Sequence, residues 1–339
     1  MAKPSKDARC TRNVAFGLRP RVVVTRAIPQ EALDLLAVHT TVDANVADVG
    51  YTPEELISHA QSADAMVSLL TDRVGEPLFA RAPKLKVVAN VAVGYDNIDV
   101  AAAAQRGMTV TNTPGVLTDA TADFAWALLL AVARNVLPAD RYVRDGRFRE
   151  WMMMEFHGAE LAGRTLGIAG FGRIGQAVAR RGRGFGMHVL YTNPRRVAQA
   201  IEEETGARLV DKETLIATSD VLSLHVPLNA ATRHFLSDAE FALMKPSAYV
   251  INTARGPVID EAALARALRS GAIRGAGIDV YEREPAVDPA LLAAPNTVLA
   301  PHIASATTET RTRMAMMAAE NVIAVLAGRP PINPVTPPA

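Results

Sequence analysis

The stretch Thr165-Leu-Gly-Ile-Ala-Gly-Phe-Gly-Arg-Ile-Gly175 decides the fold class. An apolar run leads into glycines at 170, 172 and 175, a G-x-G-x-x-G spacing, and the helical stretch Arg173–Phe185 follows. A second apolar run, Met187–Tyr191, closes a βαβ unit of the length that gives the spacing its meaning. The first glycine permits a tight turn, the second lets the backbone approach a pyrophosphate, and the third allows close helix–strand packing. The first N–H groups of the helix lack internal partners and can face an anion. Glycine-spaced turns without ligands are common; inside this frame the turn predicts a dinucleotide site.

The end of the second strand bears on which dinucleotide. An NAD site normally carries an acid there to accept from the ribose 2′-hydroxyl. Here the segment reads Tyr191-Thr192-Asn193-Pro194-Arg195-Arg196, and no carboxylate appears until Glu202. Paired arginines are usually solvated loop charges, but two guanidinium groups in place of the acid suit a 2′-phosphate. The expected cofactor is NADP(H), with NAD(H) left open.

The 339 residues suggest about two domains, with enough apolar material for ordinary cores. A formal net charge of +1 gives no global field favouring nucleic acid or an anionic membrane. Cys10 is the single cysteine, which excludes an internal disulfide and a cysteine-cluster metal site, and no metal is expected. Residues 1–20 carry Lys3, Lys6, Arg9, Arg12 and Arg19 without an apolar core, so they read as a disordered extension rather than a secretory signal. No apolar run reaches membrane-spanning length, and a cytoplasmic location is expected.

Strand and helix signals alternate along the chain. Strands are expected at Arg21–Thr25, Ala65–Leu70, Lys86–Val91 and Met108–Asn112, and later at Val221–Val226, Tyr249–Asn252, Gly275–Val280 and Thr297–Ala300. Helices are expected at Gln30–Val38, Val100–Arg106, Ala120–Arg134 and Thr307–Ala327, with a polar stretch from Pro138 through Glu150. This pattern predicts an α/β protein with two Rossmann-like doubly wound parallel-sheet domains and a cleft between them. One domain takes residues 21–112 plus 305–339, which bind substrate; the other is the dinucleotide domain at 113–304.

Three polar groups stand at the expected C-terminal ends of late strands: Arg255 after Val250–Ala254, Glu284 five residues beyond Asp279, and His302 closing Val298-Leu-Ala-Pro-His302. Singly, an arginine there is usually a surface ion pair, a glutamate before proline a solvated turn, and a histidine a packed side chain. Strand ends of one parallel sheet share an edge, so the three can meet. Together they suit hydride transfer to a 2-oxo acid. Arg255 would grip the carboxylate and polarise the carbonyl, His302 would supply the proton, Glu284 would hold the imidazole, and Asp279 would accept from the nicotinamide carboxamide. No Ser-x-x-Lys, Gly-x-Ser-x-Gly or His-Glu-x-x-His arrangement is present.

At these residues the chain resembles the D-isomer-specific 2-hydroxyacid dehydrogenases, and among them most the glyoxylate/hydroxypyruvate reductases. The likeness runs over about residues 20–330 through Asn90–Asp99, Leu161–Gly175, Asn252–Gly256, Asp279–Pro285 and Pro301–Ser305. Leu70, near the end of an expected strand of the substrate-binding domain, would cap a compact pocket. The resemblance implies that Arg255, Glu284 and His302 are the catalytic trio and that the N–H groups of Val93 and Gly94 help bind the substrate carboxylate. It implies cofactor contacts at Gly170, Phe171, Gly172, Arg173, Ile174, Gly175, Asn193, Arg195, Arg196, Val226, Pro227, Thr232, Thr253, Ala254, Asp279, His302 and Ala304. It also implies a homodimer built around Ala120–Arg134, with Trp151 where similar reductases bring an aromatic towards a partner's site, although a tryptophan is more often packed. Met152–Met154 read as filler for an irregular surface. Two departures stand out: Ala304 where many relatives have glycine, and Pro194 where similar reductases often have an arginine, so that the basic pair is offset.

The expected reaction is reduction of glyoxylate or hydroxypyruvate to the 2-hydroxy acid. The alternatives are a phosphoglycerate, phosphonate, formate or D-lactate dehydrogenase, or a corepressor-like protein that senses nucleotide. The first would want more basic residues than Arg73, Lys84 and Lys86 provide, and retention of the full trio argues against the last.

Overall fold

The computed structural model describes residues 19–336. The extension expected at residues 1–20 lies outside the described residues except for Arg19 and Pro20, and Cys10 lies outside them altogether. The chain forms two units, divided so that residues up to 91, 97–111 and those from 316 onward make one, and 92–96 with 112–315 the other.

The first unit holds a five-stranded sheet of β1 (Arg21–Val24), β2 (Thr41–Ala44), β3 (Ala65–Ser68), β4 (Val87–Asn90) and β5 (Thr109–Thr111), in the order β2-β1-β3-β4-β5. All pairings are parallel. Val22, Val23 and Val24 are fully buried, as expected of a strand covered on both faces. Asp99 caps the helix Val100–Gln105 by accepting from the Ala102 N–H, and Thr52 with Glu55 forms a capping box on Pro53–Ala60. After the last helix, Thr308–Leu326, the chain turns back, and the Val335 N–H donates to Val110 O at 2.8 Å. The tail thereby joins the edge of β5. The short edge strand β2 escapes the sequence reading because its residues are only half buried and carry no clear alternation.

The second unit is built on seven parallel strands: β6 (Thr165–Ala169), β7 (His188–Thr192), β8 (Ala207–Leu209), β9 (Val221–Leu224), β10 (Tyr249–Asn252), β11 (Gly275–Ile278) and β12 (Thr297–Leu299). Their order is β12-β11-β10-β9-β6-β7-β8. The chain builds outward from β6 through β7 and β8, then returns to the other side of β6 with β9. That reversal is the switch point of a doubly wound sheet, where a crevice opens beyond the strand C-termini. The glycine turn leaves β6 there, beside His225 and Val226 leaving β9.

The helix Thr118–Ala133 buries Ala125, Trp126, Leu128, Leu129 and Val132 in one core with Leu166, Ile168, Ile251 and Val298. Each large side chain so buried contributes about 1.5–3 kcal/mol. Trp126 also donates to Val178 O at 3.2 Å and stacks on Phe185. The polar stretch after it, expected from Pro138 through Glu150, begins as a helix over Val136–Arg144. Pro138 is compatible because it occupies the first turn, where no intrahelical acceptor awaits an N–H. Among the described residues no single helix is long and apolar enough to cross a membrane.

His225 is half-buried at the switch point. Its Nε2 is hydrogen-bonded to Ser223 Oγ at 2.8 Å, and burial pushes the imidazole from its ordinary 6.5 down to about 3. The unfolded chain therefore binds a proton between those values that the folded chain does not, and stability falls as the pH drops. From pH 6.5 to 5 this site alone should remove about 2 kcal/mol. Urea unfolding at the two pH values should show that loss in the wild type and a smaller one in H225Q.

Candidate active site

The glycine turn shows which of its features serve the protein and which face outward. Gly170 has φ +90°, and a Cβ on it would lie 2.7 Å from the His225 carbonyl and the Val226 nitrogen. A Cβ on Gly175 would overlap Gly170 O, so both positions are closed to side chains by the chain's own packing. Gly172 differs: a Cβ there would meet nothing within 4 Å. It stands at the N-terminus of the helix Arg173–Gly184, open on the side from which a pyrophosphate would approach. Thr253 Oγ1, just past β10, is buried without a hydrogen-bond partner. An orphaned hydroxyl and an open glycine at one sheet edge fit a dinucleotide.

Other expected cofactor contacts vary in what they offer. The Phe171 ring is core, stacked on Tyr191 with centroids 4.2 Å apart, so only its backbone belongs to the turn. Arg173 is exposed and Ile174 half-buried at the helix start. Val226 and Pro227 follow β9, and the Thr232 hydroxyl donates to Pro227 O at 2.5 Å, closing that loop. The Ala254 N–H donates to Asn252 Oδ1.

At the end of β7 the two arginines part company. Arg196 is bound to Glu202, Nε lying 3.1 Å from both carboxylate oxygens and Nη2 2.7 Å from Oε2. Glu202 also accepts from the Tyr191 hydroxyl at 2.7 Å, and these two partners hold it below the usual carboxylate range. Of the two guanidinium groups expected there, Arg196 is thus the one engaged by a carboxylate. Arg195 is exposed, and its side chain has no partner among the described residues. Asn193 sits between turn and loop, its Oδ1 3.4 Å from the Phe171 nitrogen and its amide donating to Arg195 O.

Arg255, Glu284 and His302 all belong to the second unit and follow β10, β11 and β12. His302 Nδ1 lies 2.8 Å from Glu284 Oε2, and Glu284 Oε1 accepts from the Tyr281 N–H at 3.0 Å. Burial pushes the Glu284 carboxyl up, but the hydrogen bonds from His302 and Tyr281 and the charges of His302 and Arg255 outweigh it, so it stays below its ordinary value. With Nδ1 engaged, Nε2 is the imidazole atom left to meet a substrate. His302 itself has φ +57°, a left-handed conformation rare for a residue with a Cβ.

Asp279 explains that conformation. Its carbonyl accepts from the His302 N–H at 2.8 Å, and its carboxylate oxygens accept from Ile303 and Ala304, also at 2.8 Å. The sequence reading gave this side chain to the nicotinamide carboxamide. In the fold it is wholly buried and braces the backbone that presents His302. Burial raises its pKa, with the two N–H groups pulling the other way.

Asp96, Tyr281 and Glu202 were missed as members of the site. Asp96 Oδ1 accepts from Arg255 Nε at 2.9 Å across 159 positions of sequence, a pairing no local pattern announces. Arg255 Nη1 donates to its neighbour Ala254 O, and Nη2 lies against Gly94, where any side chain would collide with it. Val93 O accepts from the Asn112 amide at 2.7 Å. Leu70 belongs to the first unit, two residues beyond β3. Trp151 is 75% exposed rather than packed, and Met153 and Met154 are exposed beside it.

Residues 126–304 match the family described as D-isomer specific 2-hydroxyacid dehydrogenase, NAD binding domain. A glyoxylate reductase of Aeropyrum pernix is 51% identical over 323 residues, covering 93% of this chain and 95% of that one. A glyoxylate reductase of Thermococcus litoralis is 48% identical over 320 residues, covering 93% and 96%. The crystal structure of an NADPH-dependent glyoxylate/hydroxypyruvate reductase from Sinorhizobium meliloti, in complex with NADP and malonate, superposes with a TM-score of 0.83 at 34% identity and covers 94% of this chain and 97% of that one. A glycine turn at the switch point, an imidazole backed by a carboxylate, and likeness over nearly the whole length lead to one conclusion: the chain belongs to the D-isomer-specific 2-hydroxyacid dehydrogenase family and is an NAD(P)-dependent oxidoreductase acting on CH–OH groups.

Proposed function

We propose that the protein reduces glyoxylate, and hydroxypyruvate as a related small 2-oxo acid, to the corresponding 2-hydroxy acid. The observation that carries this reading is the Glu284–His302 hydrogen bond at the sheet edge that also bears Arg255 and the open Gly172 turn. Relatives at 48–51% identity that are glyoxylate reductases support the substrate class.

The turn Gly170–Gly175 and the helix start behind it would hold the dinucleotide, which when bound supplies the hydride. Arg255 binds the substrate carboxylate through the outer edge of its guanidinium, with Asp96 fixing Nε, and its charge polarises the adjacent carbonyl. His302 donates a proton from Nε2 to the developing alkoxide. Glu284 holds Nδ1 and sets the ring orientation. Arg195 reads the 2′-phosphate of NADP(H), since it is the guanidinium without a carboxylate partner at the end of β7. The protein works as a homodimer. Phe148, Trp151, Met153 and Met154 stand 59–77% exposed beyond the helix Val136–Arg144, none of whose residues is fully buried, an apolar surface suited to a second copy.

Following NADPH oxidation at 340 nm across a panel of 2-oxo acids tests the reading, with glyoxylate expected among the best substrates; cofactor binding without turnover of any of them would overturn it. NADPH should have the lower KM, and R195D should narrow or reverse that preference. H302A should lower kcat by about 10²–10⁴. R255A should damage kcat and KM together, because one group both binds and polarises.

A further inference from the structure

The loop after β11 that presents Glu284 is tied down at both ends by one carboxylate outside the trio. Glu261 opens the helix Glu261–Ser270, directly after its capping residue Asp260. It is 6% exposed, and its two oxygens accept from the backbone N–H groups of Glu282 and of Asp288, the latter at 3.3 Å. Five residues of chain separate those donors, and Glu284 is one of them. The segment is also packed from its other side. Gly256, next to Arg255, approaches the Tyr281–Glu282 peptide so closely that a Cβ would collide with it. His234 Nε2 lies 2.6 Å from Glu282 Oε1.

We propose that Glu261 is a positioning residue for proton transfer, fixing the 282–288 loop so that Glu284 meets His302 Nδ1. The inference rests on the proton-donor reading of His302 given above. An amide could not substitute fully, because both donors are N–H groups and a Gln would turn an NH₂ towards one of them. Keeping a carboxylate here has a cost: burial raises the Glu261 pKa, Glu282 and Asp288 repel it, and the two N–H groups offset only part of this. The charged groups facing His302 are Glu284, with Arg255 beside it, and Asp279; Glu261 faces Glu282 and Asp288 and reaches His302 only through the loop.

The test compares E261Q and E284Q with the wild type, using glyoxylate and NADPH over a range of pH. E261Q should lower kcat about tenfold with cofactor KM within about twofold, and should move the alkaline fall of activity to lower pH, in the same direction as E284Q and by less. E261D, which keeps the charge on a shorter arm, should recover part of both effects, and it carries the test if E261Q proves too unstable to assay. A profile superimposable on the wild type in E261Q, or in E261D when that variant stands in, while E284Q is displaced, would overturn the role of Glu261 alone. An undisplaced profile in E284Q would overturn the proton-donor reading beneath it.

Discussion

The buried carboxylate of Asp279 is the constraint on which the site depends. A residue with a Cβ in the left-handed region costs about 1–2 kcal/mol, and His302 is held there at φ +57°. Each hydrogen bond to a charged group contributes about 1.5–3 kcal/mol, and Asp279 makes two, to Ile303 and Ala304, while its backbone carbonyl takes the N–H of His302 itself. A relaxed backbone at this position would aim the imidazole elsewhere, and Glu284 would have nothing to orient.

The same device recurs around the site. Asp279, Glu284 and Glu261 are carboxylates withdrawn from water in different degrees, each accepting from backbone N–H groups of the turns that follow β11 and β12. Burying a charge is unfavourable unless such donors surround it, so each of these acids commits a length of irregular backbone to one conformation. Loops after parallel strands have no ladder of their own to hold them. Buried carboxylates supply the missing order, and they supply it where the proposed chemistry needs a fixed imidazole.

Asp96 and Glu202 play a different part. Both are acids paired with arginines, and both decide which guanidinium atoms remain available. Asp96 takes Nε of Arg255, whereas Glu202 takes Arg196 through both Nε and Nη2 and leaves Arg195 as the guanidinium there without a carboxylate partner among the described residues. In a protein of nearly balanced charge, recognition of anionic groups rests on which local pairs are left incomplete, not on net field.

Much of this was legible in the order of residues. Alternating apolar and amphipathic runs fixed parallel sheets as the architecture, because buried parallel strands such as Val22–Val24 and Tyr249–Asn252 need no partner information to be recognised. Glycine spacing marked the turn, because a tight turn and a close approach each exclude a Cβ wherever the chain later goes. Arg255, Glu284 and His302 could be placed at strand ends on the same grounds. What the sequence alone could not supply was pairing across distance. Asp96 with Arg255, Glu261 with the 282–288 loop, and Asp279 with the backbone beyond His302 are matters of which donor arrives beside which acceptor. A carboxylate reads alike in a string of letters whether it is solvated or buried, and only packing in three dimensions decides between the two.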